Sequence, residues 1–189
     1  THLARTWAAT TAFSTMCNNA TGRWVGDSTW RIQVRANTTR HLHRAEFLLD
    51  LKKAFEHVRH TDLIRAAKAV HYPPALLKLA LRAYQWPRRL TYRGAVSPPC
   101  YPTRGIAAGS AHATSELKLY LLPVIIALRR RTTDEPPVMR SLSVFVDDIS
   151  FSASSPDAPR TIDAVVHAFR VLRSELAAVE RPTAPDKTE

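Results

Sequence analysis

The chain has 189 residues, with 27 Lys and Arg against 16 Asp and Glu, so its formal net charge is +11. This length is enough for one sizeable core, and 45% hydrophobic with 23% charged residues excludes a disordered chain, a collagen and a coiled coil. The longest apolar run, 119–128, has ten residues and includes Pro123, whereas a membrane-spanning helix needs about 20. We therefore expect no membrane partner.

Positive charge is concentrated in the first part of the chain. Residues 1–104 hold 17 basic and 5 acidic side chains, and residues 105–189 hold 10 and 11. This excess is more than solubility requires, and no segment combines it with a large amphipathic apolar face. Nucleic acid is therefore favoured over anionic lipid as the partner. Thr1 is neither an initiator Met nor part of a signal pattern, so we expect the chain to be an internal piece of a longer protein.

The first half predicts a strand, two helices and an exposed basic segment. Residues 46–50 form a short apolar run that ends in a carboxylate, which is typical of a buried strand whose last residue emerges at the edge of the sheet. Thr61 or Asp62 is predicted to cap the first helix. The pair Pro73–Pro74 is predicted to open the second helix, and one face of this helix is predicted to be apolar: Leu76, Leu77, Ala80, Leu81 and Tyr84. Residues 88–95 are predicted to form an exposed strand.

The second half predicts two helices. Ser110 can cap a long apolar helix that reaches Leu128 and is kinked near Pro123, because proline donates no backbone hydrogen bond. Apolar residues at steps of four and three predict an amphipathic helix over 165–179.

Two carboxylates lie at the tip of a predicted hairpin. Segments 142–146 and 149–152 alternate apolar and small polar residues on either side of Asp147 and Asp148. A lone aspartate pair is usually found in a turn because Asp tolerates turn geometry, but two like charges beside apolar strands favour a cation. Asp50 ends another predicted strand, so sheet pairing would bring three carboxylates to one divalent site. The alternative for Asp50 is a helix or turn cap.

Four segments in chain order resemble the motifs of reverse transcriptases of the non-LTR retrotransposon and group II intron type. Residues 49–58 (LDLKKAFEHV) resemble motif A, D-L-x-K-A-F-D-x-V. Residues 104–110 (RGIAAGS) resemble motif B, G-[IV]-P-Q-G-S, and residues 145–148 (FVDD) resemble motif C, F-x-D-D. Residues 184–189 (APDKTE) resemble motif D, N-P-x-K-T. Each match is weak or moderate alone, and their common order and spacing make the joint match specific.

The resemblance implies an RNA-directed DNA polymerase of α+β fold, with a ferredoxin-like antiparallel palm sheet backed by helices, partial helical fingers and no thumb. It implies that Asp50 and Asp147 bind two Mg²⁺ ions, with Mn²⁺ as an alternative, and that Asp148 lies beside them. The Leu51 carbonyl would lie near the triphosphate, and Lys187 near the pyrophosphate leaving group.

The resemblance also implies nucleotide and nucleic-acid contacts. Phe55 would be a steric gate whose ring crowds a ribose 2′-OH and so favours deoxynucleotides, and its alternative is a core phenylalanine. Gly105, Ala108 and Gly109 would lie by the template and the incoming nucleotide. The partners implied are an RNA template, a DNA primer and deoxynucleoside triphosphates. Four basic side chains are expected to contact the nucleic acid: Arg88, Arg89, Arg93 and Arg104.

The family pattern assigns residues 1–45 and 60–104 to the fingers, and residues 46–59 and 105–189 to the palm. Ala107–Ala108 stands where motif B has Pro-Gln, so the amide that helps to hold the template region is missing. This departure favours an alternative function, that of a catalytically inactive or repurposed relative that binds nucleic acid. The sequence indicates neither the oligomeric state nor the cellular location.

Overall fold

The computed structural model describes residues 25–132 and 138–179. Within them the elements in chain order are α1 (Val25–Thr38), β1 (His43–Asp50), α2 (His60–Ala69), α3 (Pro74–Tyr84), β2 (Thr91–Tyr92), β3 (Ala95–Val96), α4 (Ala113–Arg131), β4 (Met139–Phe145), β5 (Asp148–Ser155) and α5 (Ala158–Ala178). The mixture of helices with antiparallel sheets confirms the predicted α+β class. In the part of the chain described, no helix is long and apolar enough to cross a membrane.

The chain divides into two compact units. The helical unit, Lys53–Tyr120, contains α2, α3, the β2–β3 hairpin and the first residues of α4. The sheet unit contains the described residues before Lys53 and after Tyr120, and so includes α1, β1, the rest of α4, β4, β5 and α5.

A three-stranded antiparallel sheet, in the order β1-β5-β4, forms the core of the sheet unit. Successive side chains of a strand point to opposite faces, and Phe47, Leu49 and Phe151 are buried on the face that packs against α5. The rings of Phe47 and Phe151 stack with centroids 5.7 Å apart, and Phe169 of α5 meets Phe47 edge-on at 5.4 Å. The predicted strand and hairpin are therefore confirmed, and the apolar face of the sheet packs against α5.

Helix α5 begins at an N-cap of the kind that its sequence favours. The Asp157 carboxylate accepts a hydrogen bond from the Arg160 backbone N–H at 3.1 Å, which satisfies a donor that has no partner within the helix. At the other side of this unit the Arg131 guanidinium, in the last turn of α4, lies 3.0 Å from Glu175 of α5. The predicted amphipathic helix is confirmed, and its buried side chains include Val165, Leu172 and Leu176.

In the helical unit, α3 follows the prediction and α2 departs from it at its first residue. Helix α3 begins at Pro74 and buries the predicted apolar face. Helix α2 has Arg59 as its N-cap with no side-chain cap, so the predicted caps, Thr61 and Asp62, are wrong. Asp62 instead pairs with Arg59 at 2.6 Å and with Arg65 at 3.1 Å. The carboxylate still lies in the first turn, where it suits the helix dipole.

Candidate active site

Two of the predicted site aspartates are direct partners in the sheet. Asp50 is the last residue of β1, Asp148 is the first of β5, and the antiparallel register places them opposite each other. The Cα atoms of such partners lie about 4.5–5.5 Å apart. Strand alternation places both on the face away from α5, since their neighbours Leu49 and Ile149 are fully buried on the other face. Asp147 precedes Asp148 in the turn between β4 and β5.

The turn that carries Asp147 is strained. Its two residues are Val146 and Asp147, because Phe145 and Asp148 already pair in the sheet. Val146 has φ 59°, in the left-handed region that a β-branched residue rarely adopts, and such a conformation costs about 1–3 kcal/mol. A two-residue hairpin requires a positive φ at this position, so the ladder on both sides imposes the strain.

The carboxylates fit a magnesium site by their chemistry. Among the described residues, no three His, Cys, Asp or Glu side chains are grouped closely enough to hold a metal ion. Mg²⁺, however, usually takes only one or two carboxylates from a protein and completes its shell with water and substrate phosphates. The cross-strand pair Asp50 and Asp148 provides two carboxylates on one face. Like charges directly opposite on neighbouring strands are destabilising, so a cation there would relieve their repulsion.

Of two further predicted site residues, Leu51 is described by the structure and Lys187 is not. Leu51 directly follows Asp50, and its side chain is buried. Lys187, with the rest of the segment that resembles motif D, lies outside the described residues.

Within the helical unit, the loop that resembles motif B is held by hydrogen bonds to the segment around Phe55. The Gly105 N–H donates to the Val58 carbonyl at 2.7 Å, and the Ile106 N–H donates to the Phe55 carbonyl at 2.9 Å. The His60 Nε2 lies 2.8 Å from the Gly105 carbonyl. The Phe55 side chain itself is half-buried, so it is not a fully enclosed core residue within the described chain.

Glycine is required at two positions of this loop. Gly105 has φ +92° and Gly109 has φ +86°, and L side chains rarely adopt these conformations. A Cβ at Gly105 would also lie 3.4 Å from the Glu56 carbonyl oxygen. Ala107 and Ala108 lie between them and are exposed. Because their side chains are only methyl groups, a ligand could contact the backbone of the loop at these two residues.

A buried hydrogen-bonded chain fixes the end of this loop. The Ser110 hydroxyl accepts from the Ala113 N–H at 3.1 Å, so it closes the turn that leads into α4, which itself begins at Ala113. It also lies 2.9 Å from the Tyr84 hydroxyl, which donates to Glu116 Oε2 at 2.7 Å. Glu116 is completely buried, and burial raises the pKa of its carboxyl group. Sequence reasoning missed this network, although a lone carboxylate within an apolar helix was a signal for it.

We expect Glu116→Gln to stabilise the protein at neutral and alkaline pH. Since folding raises the pKa of Glu116 above its ordinary 4.5, the stability associated with its proton is complete below that pH and is lost as the pH rises. Glutamine keeps the oxygen that accepts from Tyr84 and carries no charge, so the variant should gain about 1–2 kcal/mol at pH 8 and little at pH 4. Urea unfolding across this range measures the difference. The exposed Glu56→Gln is the control, and equal pH profiles for Glu116→Gln and wild type would contradict the prediction.

An exposed hairpin carries basic and aromatic side chains. Strands β2 and β3 are joined by Arg93 and Gly94, whose φ values of 47° and 82° suit a two-residue hairpin turn. The segment 88–95 is therefore not one strand as predicted, because this turn folds it back. The Arg93 guanidinium lies over the Tyr92 ring at 5.4 Å from its centroid. The four arginines expected to contact nucleic acid are all exposed: Arg88, Arg89, Arg93 and Arg104.

Large aromatic side chains lie in the open beside these arginines. Trp86, Tyr92 and Tyr101 are 70%, 72% and 67% exposed. Aromatic faces beside arginines can stack on unpaired bases with little sequence preference. The described part of the helical unit therefore presents arginine and aromatic side chains, which are the two kinds that proteins use to bind single-stranded nucleic acid.

Comparison with known proteins identifies the family and the fold of the chain. The family described as "Reverse transcriptase (RNA-dependent DNA polymerase)" matches residues 4–189, and no curated protein matches. Apo telomerase from Candida tropicalis, truncated from its C-terminal domain, is 10% identical with a TM-score of 0.66, over 100% of this chain and 39% of that one. Telomerase from Candida albicans, in complex with the TWJ fragment of telomeric RNA, is 11% identical with a TM-score of 0.67, over 100% and 34%.

These identities show a shared fold, and the chain spans little more than a third of the length of either telomerase. The family match extends over almost all of the chain, including the aspartates of β1, of the turn and of β5 and the loop from Gly105 to Ser110. The chain therefore belongs to the reverse transcriptase (RNA-dependent DNA polymerase) family.

Proposed function

We propose that this chain carries the polymerisation site of an RNA-directed DNA polymerase that acts with two divalent ions. The observation that carries the proposal is the register that sets Asp50 opposite Asp148, with Asp147 in the adjoining turn. The form of residues 49–58, LDLKKAFEHV, favours the non-LTR retrotransposon and group II intron type.

In the proposed reaction a primer 3′-hydroxyl attacks the α-phosphate of a deoxynucleotide, and pyrophosphate leaves. Two Mg²⁺ ions, or Mn²⁺ in their place, would stabilise the attacking and leaving oxygens. Asp50 and Asp147 would hold them, with Asp148 beside them, and the Leu51 carbonyl would lie near the triphosphate. Lys187 would donate a proton or a hydrogen bond to the leaving pyrophosphate.

The remaining predicted residues would position the substrates. Gly105, Ala108 and Gly109 would lie against the template and the incoming nucleotide, since glycine at positive φ and small side chains permit a close backbone approach. The arginines of the hairpin region would bind the phosphates of an RNA template or DNA primer. An RNA fragment in the Candida albicans telomerase structure supports RNA as the partner. In this proposal residues 1–45 and 60–104 are fingers, and residues 46–59 and 105–189 are palm.

A second candidate function is nucleic-acid binding without catalysis. Ala107 and Ala108 favour it, because the glutamine amide of the family pattern is absent from an exposed part of the loop. The opposed pair Asp50 and Asp148 argues against it, since pure binding to a phosphate backbone gains nothing from carboxylates that face each other.

Primer extension separates the two functions. The full chain is incubated with poly(rA), oligo(dT), dTTP and Mg²⁺, and labelled product is resolved by length. Polymerisation predicts incorporation that requires the template and the metal. Binding of the primer-template without any extension would support the second function, and incorporation without a template would contradict the first.

The proposed gate at Phe55 gives a separate prediction. Phe55→Ala should raise ribonucleotide incorporation relative to deoxynucleotide incorporation by about 10- to 100-fold, because removing the ring opens space for a 2′-hydroxyl. Phe55→Tyr retains the ring and should leave the selectivity close to wild type. Because Phe55 is only half-buried and holds Ile106 through its backbone carbonyl, the alanine variant should still fold. Single-nucleotide incorporation with dTTP and UTP measures the ratio, and an unchanged ratio would refute the role.

A further inference from the structure

The loop that resembles motif B has a short exposed arch, residues 107–109, between two fixed ends. At the first end Ile106 is buried, and its N–H donates to the Phe55 carbonyl. At the second end the Ser110 N–H donates to the Ala107 carbonyl at 3.0 Å, so the chain turns back before α4. Alanine stands at position 107 where the family pattern has proline, so no ring fixes φ there. The direction of the arch therefore depends on how its two ends are held.

The second end is held by Tyr84, the last residue of α3. Its hydroxyl lies 2.9 Å from Ser110 Oγ and donates to Glu116 Oε2 at 2.7 Å. Because the single hydroxyl proton of Tyr84 is directed to Glu116, the Ser110 hydroxyl is the donor to Tyr84. Ser110 Oγ in turn accepts from the Ala113 N–H. These groups form one chain of hydrogen bonds with one direction, and Glu116 is its final acceptor.

A pair of stacked rings connects the two ends of the arch. The His60 Nε2 lies 2.8 Å from the Gly105 carbonyl, and a carbonyl oxygen can only accept, so this nitrogen donates. The His60 ring stacks on the Tyr84 ring with centroids 6.3 Å apart, and both side chains are buried. Tyr84 therefore binds one end of the arch directly and packs against the residue that binds the other.

Stability alone does not account for the carboxyl group at the end of this chain. Glu116 is completely buried, and among the described residues its Oε1 has no hydrogen-bond partner. Burying a carboxyl group with only one bonded oxygen is unfavourable. What this group provides is an acceptor for the Tyr84 proton, which leaves a lone pair of the Tyr84 oxygen for the Ser110 hydroxyl.

We propose that Tyr84 is a positioning residue for the incoming deoxynucleotide. It holds Ser110 so that the arch presents its backbone to the nucleotide, and Glu116 orients the Tyr84 hydroxyl. Both side chains are buried, so they act through the loop and not by contact with the substrate. The inference rests on the proposed function, in which Ala108 and Gly109 lie against the nucleotide.

Tyr84→Phe tests this role, since it keeps the ring that stacks on His60 and removes only the hydroxyl. In primer extension by the full chain on poly(rA) with oligo(dT), the KM for dTTP should rise about tenfold and kcat should change less than about threefold, because a displaced arch weakens binding of the nucleotide. Tyr72→Phe is the matched control. It removes another buried hydroxyl from the same unit, outside the chain from Ser110 to Glu116, and should leave the KM unchanged.

A double-mutant cycle tests the bond itself. Ser110→Ala should raise the KM for dTTP to a similar extent, and Tyr84→Phe/Ser110→Ala should be no worse than either single variant, because both changes remove the same hydrogen bond. Glu116→Gln keeps the oxygen that accepts from Tyr84 and should retain the wild-type KM. Effects that multiply in the double variant would mean that the two hydroxyl groups act separately, and would overturn the proposal.

Amide hydrogen exchange measures the anchor without any reaction. In Tyr84→Phe the Ser110 amide should exchange about tenfold faster, whereas the Gly105 and Ile106 amides should keep their protection. An unchanged KM in Tyr84→Phe, with or without faster exchange, would overturn the proposal, and template-dependent extension by the wild type would leave the proposed function standing. If the wild type extends no primer, the proposed function fails and the nucleotide role fails with it, while the exchange rates still show whether Tyr84 anchors the loop.

Discussion

Asp147→Ala is expected to abolish template-directed DNA synthesis, with a loss of at least about 10³-fold in the rate of primer extension. Asp147 lies in the strained turn directly before Asp148, which faces Asp50 across the sheet. In the proposed site, removing this carboxylate would remove a ligand of the cations that would stabilise the charge developing on the reacting phosphate. Single-turnover extension of oligo(dT) on poly(rA) measures the loss.

The control for this variant is Asp163→Ala, which removes the same charge from an exposed position of α5 in the same unit. It should extend the primer at the wild-type rate. The primer-template affinity of Asp147→Ala should also stay within a few-fold of wild type, since Asp147 is not among the residues proposed to bind the primer-template. Equal extension by Asp147→Ala and wild type would exclude the proposed reaction.

Phe151→Ala is expected to lower the free energy of unfolding by about 3–5 kcal/mol. Phe151 lies in the central strand, is 2% exposed and stacks on Phe47, so its truncation leaves a cavity between the sheet and α5 that close-packed neighbours cannot fill. A domain of this size has a total stability of about 5–15 kcal/mol, so much of it would be lost. Urea unfolding followed by circular dichroism measures the change.

Ile162→Ala is the matched truncation on the surface, because this side chain on α5 is 55% exposed. Its effect should stay within about 0.5 kcal/mol. Similar destabilisation by the two variants would mean that the stacked pair of Phe47 and Phe151 does not form the core of this unit.

Local pattern predicted much of the fold. In a strand or helix that is buried on one face, the spacing of apolar residues shows both the type of element and its buried face. This was enough to predict three parts of the structure: the strand that ends at Asp50, the two strands on either side of the aspartate pair, and the helix with its apolar face from Leu76 to Tyr84. The pairing of Asp50 with Asp148 joins residues 98 positions apart, and it came from the family resemblance and the logic of sheet edges. No periodicity in either strand encodes its partner.

The features that sequence reasoning missed depend on contacts between distant segments. Glu116 differs from a surface glutamate through its complete burial and through Tyr84, which is 32 residues away and donates a hydrogen bond to one of its oxygens.

Strand β5 has a consequence for how the chain can change in length. One face of it carries Asp148, Ser150, Ser152 and Ser154, and the other carries the apolar core. Inserting or deleting one residue within this strand would exchange the two faces beyond that point, so either the carboxylate end or the serine end would turn toward α5. Without a compensating β-bulge, the number of residues between them can therefore change only in steps of two, whereas the exposed β2–β3 hairpin can vary in length more freely.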